Sequence, residues 1–255
     1  MKNESDSSPT RWLGAALVVI ALIGFYLIGR GHDAREVEDM VVVPAGEFFA
    51  GCNEEIDTEC FADEKPGGLR ELPAFSIDRT EVTLAAYRDC VEAEACSEPD
   101  RGEGCNWGET GRERHPVNCV DWDQAKAFCA WRDGRLPTEW EWEKAARGID
   151  GRKYPWGNDP VDCTRAVIDE GSGNACGQGD STSEVGSKPD GASLDGAFDL
   201  IGNVWEWTSS TREESGSVVV RGGGFYVASP QARASFGLRF NPKGRGAFVG
   251  FRCAK

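Results

Sequence analysis

The longest apolar run in the chain, Trp12–Gly29, carries no charge over 18 residues. As a helix it would span roughly 27 Å, close to the ~30 Å hydrocarbon core of a bilayer. Arg11 and Arg30 bracket it, and Trp12 and Tyr26 fall near the two interfaces. The run exceeds the usual apolar region of a signal peptide and no A-x-A site follows it, so an uncleaved anchor is expected. Residues 1–11 then form a short cytoplasmic tail, 12–29 the membrane span, 30–39 a charged linker and 40–255 one domain.

Beyond the linker the apolar runs are short and their period changes repeatedly. Met40–Val43 leads into a turn at Pro44–Gly46. Phe75–Thr83 alternates as a strand does, and Thr83 is placed to cap a helix over Leu84–Ala93. Asp121 with Gln124 forms a capping box for a helix running to about Trp131, with Ala125, Phe128 and Cys129 on its apolar side. Thr138 with Glu141 forms a second box, and Gly148 stops that helix. Trp140 and Trp142 lie two apart and cannot share a helix face, so one belongs to the core and the other lies nearer the surface. Residues 161–196 are rich in Gly, Ser and Asp and read as irregular loop. Val218–Phe225 and Gly246–Cys253 read as closing strands. The mixture predicts an α+β domain.

One strand carries the candidate chemistry. In Gly202-Asn203-Val204-Trp205-Glu206-Trp207-Thr208, alternation puts both indoles on one side and Glu206 on the other. Glu206 there needs water, a cation or hydrogen-bond donors. Asp199 precedes it across a glycine turn, and two carboxylates with backbone carbonyls between them offer the oxygen ligands that calcium takes.

Composition narrows the function classes. The net charge of −15 disfavours nucleic acid and anionic lipid as partners. Nine Trp and twelve Phe against two Met predict a rigid aromatic interior. Ten cysteines without a CxxC pair, beside only two histidines (His32 and His115), point to disulfides rather than a zinc cluster. That places the domain in an oxidising compartment, outside the cell membrane in periplasmic or extracellular space. No G-x-S-x-G elbow or phosphate loop is present, and neither histidine has an evident catalytic partner.

Several segments, in order, resemble the formylglycine-generating enzyme family, also called the sulfatase-modifying-factor domain. They are Phe75–Thr83, Arg135-Leu136-Pro137-Thr138-Glu139-Trp140-Glu141-Trp142-Glu143, Tyr154–Asn158, Gly202–Thr208, Arg221-Gly222-Gly223-Gly224-Phe225 and Val249-Gly250-Phe251-Arg252-Cys253. The resemblance covers about Met40 to Cys253. It implies the irregular, loop-rich formylglycine-generating-enzyme-like (C-type-lectin-like) fold. It implies a structural calcium site built from Asp199, the Gly202 and Val204 carbonyls, and Glu206, with Asp199 standing where Asn is more usual. It implies a second calcium site between Thr164 and Asp180, whose ligands find no match here; Cys163 and Cys176 stand in that region instead. It also implies a Cys129–Cys253 disulfide. The pairs Cys52–Cys60, Cys90–Cys96, Cys105–Cys119 and Cys163–Cys176 are expected from closeness in sequence alone.

Family members that make formylglycine bind copper between two cysteines shortly after R-G-G, because soft thiolates select Cu(I). Those positions fall on Val227 and Ala232, and Gly224 replaces a frequent Ser. No cysteine lies between Cys176 and Cys253, so no shift of register restores the pair. Copper is therefore not expected. The leading expectation is a non-oxidase that binds a protein or peptide partner at the cell envelope. The alternatives are a formylglycine-generating oxidase acting on a sulfatase cysteine, and calcium-dependent glycan binding. Arg221, Arg233, Arg239 and Arg245 are expected to pair with the excess acids rather than line a substrate groove.

Overall fold

The computed structural model describes residues 39–171, 173–177, 179 and 181–255. The expected tail, the membrane span over residues 12–29 and nearly all of the linker lie outside the described residues. No helix among the described residues is long and apolar enough to cross a membrane.

The domain opens with β1 (Met40–Val43) and β2 (Gly46–Ala50). Next come β3 (Gly68–Leu72) and β4 (Phe75–Asp78). β1 pairs antiparallel with β4, and β2 with β3. Three helices follow: α1 (Leu84–Glu92), α2 (Trp122–Trp131) and α3 (Glu139–Arg147). Each begins where its cap is written. The Thr83 hydroxyl accepts from the Ala86 N–H, and Asp121/Gln124 and Thr138/Glu141 form reciprocal boxes. Gly148, at φ 64°, ends α3. The last sheet comprises β5 (Trp205–Arg212), β6 (Ser217–Arg221), β7 (Gly237–Phe240) and β8 (Val249–Gly250), in spatial order β7-β6-β5-β8.

The two closing strands are shorter than their apolar patterns predict. β6 stops at Arg221 because Gly222 and Gly223 take φ of 94° and 81°, which breaks the ladder. Of Gly246–Cys253, only Val249 and Gly250 pair with β5, in parallel. Residues beyond them lie along the domain's opening instead. Asp78 N–H donates to the Cys253 carbonyl, and Ser76 and Lys255 exchange two backbone bonds. The two ends of the domain are thus sewn together.

The larger core is aromatic. Tyr87 of α1 stacks on Phe128 of α2, with centroids 5.5 Å apart, and Phe251 meets Phe128 edge-on at the same distance. Trp205 and Trp207 pack into this cluster. A second cluster joins Val41, Val43, Phe75 and Ile77 to Trp142 and Leu200. Trp142 is fully buried while Trp140 is half-buried, which divides the two indoles of α3 between core and surface.

Five disulfides tie the loops down: Cys52–Cys60, Cys90–Cys96, Cys105–Cys119, Cys129–Cys253 and Cys163–Cys176. Cys129–Cys253 spans 124 residues of sequence. In the chain-entropy model a loop of that length stabilises the fold by about 5 kcal/mol. Replacing both cysteines by alanine should lower the unfolding free energy by about 4–5 kcal/mol in denaturant titration. A loss below about 1 kcal/mol would show that the denatured chain is already held together elsewhere.

Candidate functional site

The candidate site is the turn that enters β5. Asp199, Gly202 and Asn203 all take left-handed backbone, at φ 56°, 84° and 59°. Gly202 is required there: a Cβ would lie 2.3 Å from the Val167 carbonyl oxygen. The Asn203 side chain holds the turn from within. Its Oδ1 accepts from the Ser183 N–H at 2.9 Å, and its Nδ2 donates to Glu81 Oε2 at 3.0 Å.

Glu206 is buried completely, with no solvated side. Its alternation opposite the two indoles is as expected, but the face it occupies is interior. Arg252, also fully buried, clamps it in two bonds: Nε to Oε2 at 2.7 Å and Nη2 to Oε1 at 2.8 Å. Trp142 Nε1 donates to Oε2 at 2.8 Å. Arg252 directs its other N–H groups at the carbonyls of Asp78, Arg79 and Phe198.

Two further carboxyls share this interior. Burial pushes the Asp199 carboxyl up to about 6, although the Gly186 N–H donates to it. Burial, reinforced by the charges of Asp199 and Glu206, pushes Glu81 well above the ordinary carboxylate range. Three acids thus face one guanidinium. Among the described residues no hydrogen bond reaches the carbonyls of Gly202 or Val204, both in buried residues. Oxygen donors with spare lone pairs, beside carboxyls that burial makes costly to ionise, are a donor set that a hard cation takes.

Val227 and Ala232 are buried in the aromatic core cluster. A Cβ on Gly223 would meet Val227 Cγ2 at 2.8 Å and Ala232 Cα at 3.6 Å, so the two positions lie close together around that glycine. Neither offers a ligand atom, and all ten cysteines are in disulfides. One close group of potential metal ligands appears among the described residues, Cys52, Asp57 and Cys60, and its two sulfurs are bonded to each other. His115 shares a hydrogen bond with Thr182 Oγ1 at 2.9 Å and serves the loop.

The late arginines mostly pair. Arg221 meets Glu139 and Glu143, Arg233 meets Asp57 and Glu64, and Arg245 meets Asp100 and Asp121. Arg239 is exposed and forms no ion pair with the described residues. The pattern of residue types singles out Glu206 but not its partners. Arg252 and Glu81 are far from it in sequence, and the one available signal is that a buried carboxylate requires a cation.

The ordered segments, the fold and this turn together define a sulfatase-modifying-factor type of domain. Residues 29–255 match the family model described as "Sulfatase-modifying factor enzyme 1-like domain", and the chain belongs to that family. Hercynine oxygenase of Mycolicibacterium smegmatis is 30% identical over 84% of this chain and 60% of its own length. "Inactive C-alpha-formylglycine-generating enzyme 2" of Mus musculus is 40% identical over 54% of this chain and 48% of its own. The chain therefore spans only about half to three-fifths of these relatives. Among solved structures, PvdO from Pseudomonas aeruginosa superposes with a TM-score of 0.69 at 26% identity, covering 84% of this chain and 93% of that one.

Removing one member of a fully buried ion pair strands the other charge. Arg252→Met should therefore cost about 3–5 kcal/mol of stability in denaturant melts, whereas Arg252→Met combined with Glu206→Gln should recover part of that loss. Equal losses in the single and double variants would show that Arg252 matters for its carbonyl contacts rather than for Glu206.

Proposed function

We propose that this chain is a membrane-anchored, extracytoplasmic member of the family that lacks oxidase activity and binds a protein or peptide partner at the cell envelope. The observation that carries the reading is chemical. Val227 and Ala232 stand at the positions where formylglycine-forming members hold copper, and every cysteine is in a disulfide. The residues present do not fit thiolate-bound copper, and no oxidation step can run through them. The mouse relative's own name describes it as inactive. Five disulfides support an oxidising compartment, and the Trp12–Gly29 run supplies the anchor.

Calcium belongs to the same proposal. Asp199, the Gly202 and Val204 carbonyls and Glu206 would hold it, and the surplus of buried acid over Arg252 supports a cation there. Its part is structural: neutralising this cluster and fixing the turn into β5.

The deciding experiment is a mass assay. Full-length protein is incubated with a peptide bearing C-x-P-x-R, dissolved oxygen and added copper. The expected result is an unmodified cysteine; an aldehyde product overturns the non-oxidase reading. For calcium, a concentration one hundred times the dissociation constant should stabilise by about 2.7 kcal/mol. That raises Tm by roughly 5–10 °C for a domain of this size. Asp199→Ala should abolish the shift and Asp199→Asn should keep most of it. No calcium-dependent shift in the unaltered protein would remove the metal from the proposal.

A further inference from the structure

A groove of about 730 Å³ lies apart from the turn at β5 and contains none of Asp199, Glu206, Val227 or Ala232. Its size falls within the roughly 300–1,000 Å³ of ligand pockets. One wall is Gly68–Arg70 of β3 and the other is Gly237–Arg239 of β7. Consecutive strand residues point to opposite faces, so three in a row on a wall mean that the strand presents its edge. Both strands are edges. Among the described residues β3 pairs only with β2, and β7 is the outermost strand of its sheet, pairing only with β6. The groove thus runs between two unpaired backbone edges from different sheets, with Trp140 and Arg221 also lining it.

Its charges are uneven. Glu64, Glu139 and Glu143 each meet an arginine, and Asp63 acts on Arg212. Lys65 is taken by Glu54. Arg70 and Arg239, one on each wall, are exposed and form no ion pair with the described residues. Arg70 instead lies over the Trp140 ring, 4.0 Å from its centroid. Leu69 and Leu238, beside them, are 66% and 36% exposed. Arg221 is buried, and its Nε is the one buried side-chain polar atom without a partner among the described residues. On a chain of net charge −15, two guanidiniums without an acid partner among the described residues, both lining one groove, are a local reversal of sign.

We propose that this groove takes up an extended acidic peptide as an added strand, its backbone bonding to the β3 and β7 edges and its carboxylates meeting Arg70 and Arg239. Open strand edges supply backbone affinity, and side-chain contacts select the sequence. Leu69 and Leu238 give the apolar side chains of the peptide a surface. The proposal rests on the peptide-binding function proposed for the domain and gives it a site and a ligand class.

The test is fluorescence anisotropy with the full-length chain in detergent. The probes are a short labelled peptide alternating valine and glutamate, its valine–lysine counterpart, and the glutamate peptide N-methylated at alternate amides in either register. The glutamate peptide should bind, more weakly as salt rises, and the lysine peptide should not. Methylation should abolish binding in at least one register, since a methylated amide cannot donate to an edge. Arg70→Glu with Arg239→Glu should weaken binding by about tenfold or more through the lost charge-assisted contacts. A thermal melt checks that the double variant folds; if it does not, the methylated peptides on the unaltered chain decide alone. Undiminished binding of both methylated peptides, equal binding of the lysine peptide, or no binding at all overturns the proposal. Acidic-peptide binding that survives the double reversal also overturns it, while leaving the peptide-binding function intact. Only an aldehyde product in the mass assay counts against the non-oxidase claim.

Discussion

The Glu206–Arg252 ion pair organises this domain. Two fully buried opposite charges are costly to desolvate, and they persist only where geometry and added hydrogen bonds are both good. Here the carboxylate sits on a central strand of the four-stranded sheet, and the guanidinium on the chain's last segment. The pair therefore fixes where the C-terminus goes. Arg252 also reaches the carbonyls of Asp78, Arg79 and Phe198, so one side chain joins the end of β4, the turn before β5 and β5 itself. Cys253, next in sequence, repeats the connection covalently to α2. A loop-rich chain with short strands has few ladder bonds to define its topology. These neighbouring links carry that definition instead.

The turn before β5 depends on the same pair. Asp199 and Glu81 lie within its field, and Arg252 offsets both carboxyls as well as Glu206. Even so, burial leaves Glu81 and Asp199 harder to ionise than exposed carboxyls. The turn nevertheless keeps non-glycine residues at positive φ, because Asn203 is held by Ser183 and Glu81. Positive-φ backbone and buried carboxyls occur together at this turn.

Local signals in the sequence are legible because their physics is local. Thr83, Asp121 and Thr138 cap their helices through residues three positions away. The spacing of Trp140 and Trp142 assigns one to the interior without reference to any fold. The disulfides between near neighbours follow the same logic. What alternation cannot show is what covers a strand's second face. Glu206 reads as a solvated or cation-seeking acid from its own segment, and its enclosure by Trp142 and Arg252 is a property of residues 64 and 46 positions away. Apolar patterns overextend the strand ends for a related reason. Gly222 and Gly223 interrupt pairing through their dihedrals, which an apolar count does not register.

The positions of Val227 and Ala232 separate scaffold from chemistry. Thiols at a catalytic metal site must stay reduced and reachable by substrate. Valine and alanine need neither, and here they pack against the aromatic cluster beside Gly223. With that region filled, the ion pair, the turn and the crosslinks lose nothing, because none of them passes through it. The polar surface not committed to the fold lies elsewhere: among the four late arginines, Arg239 alone lacks an acid among the described residues. The buried guanidiniums Arg221 and Arg233 serve the fold through their acids, and Arg239 keeps its charge at the surface.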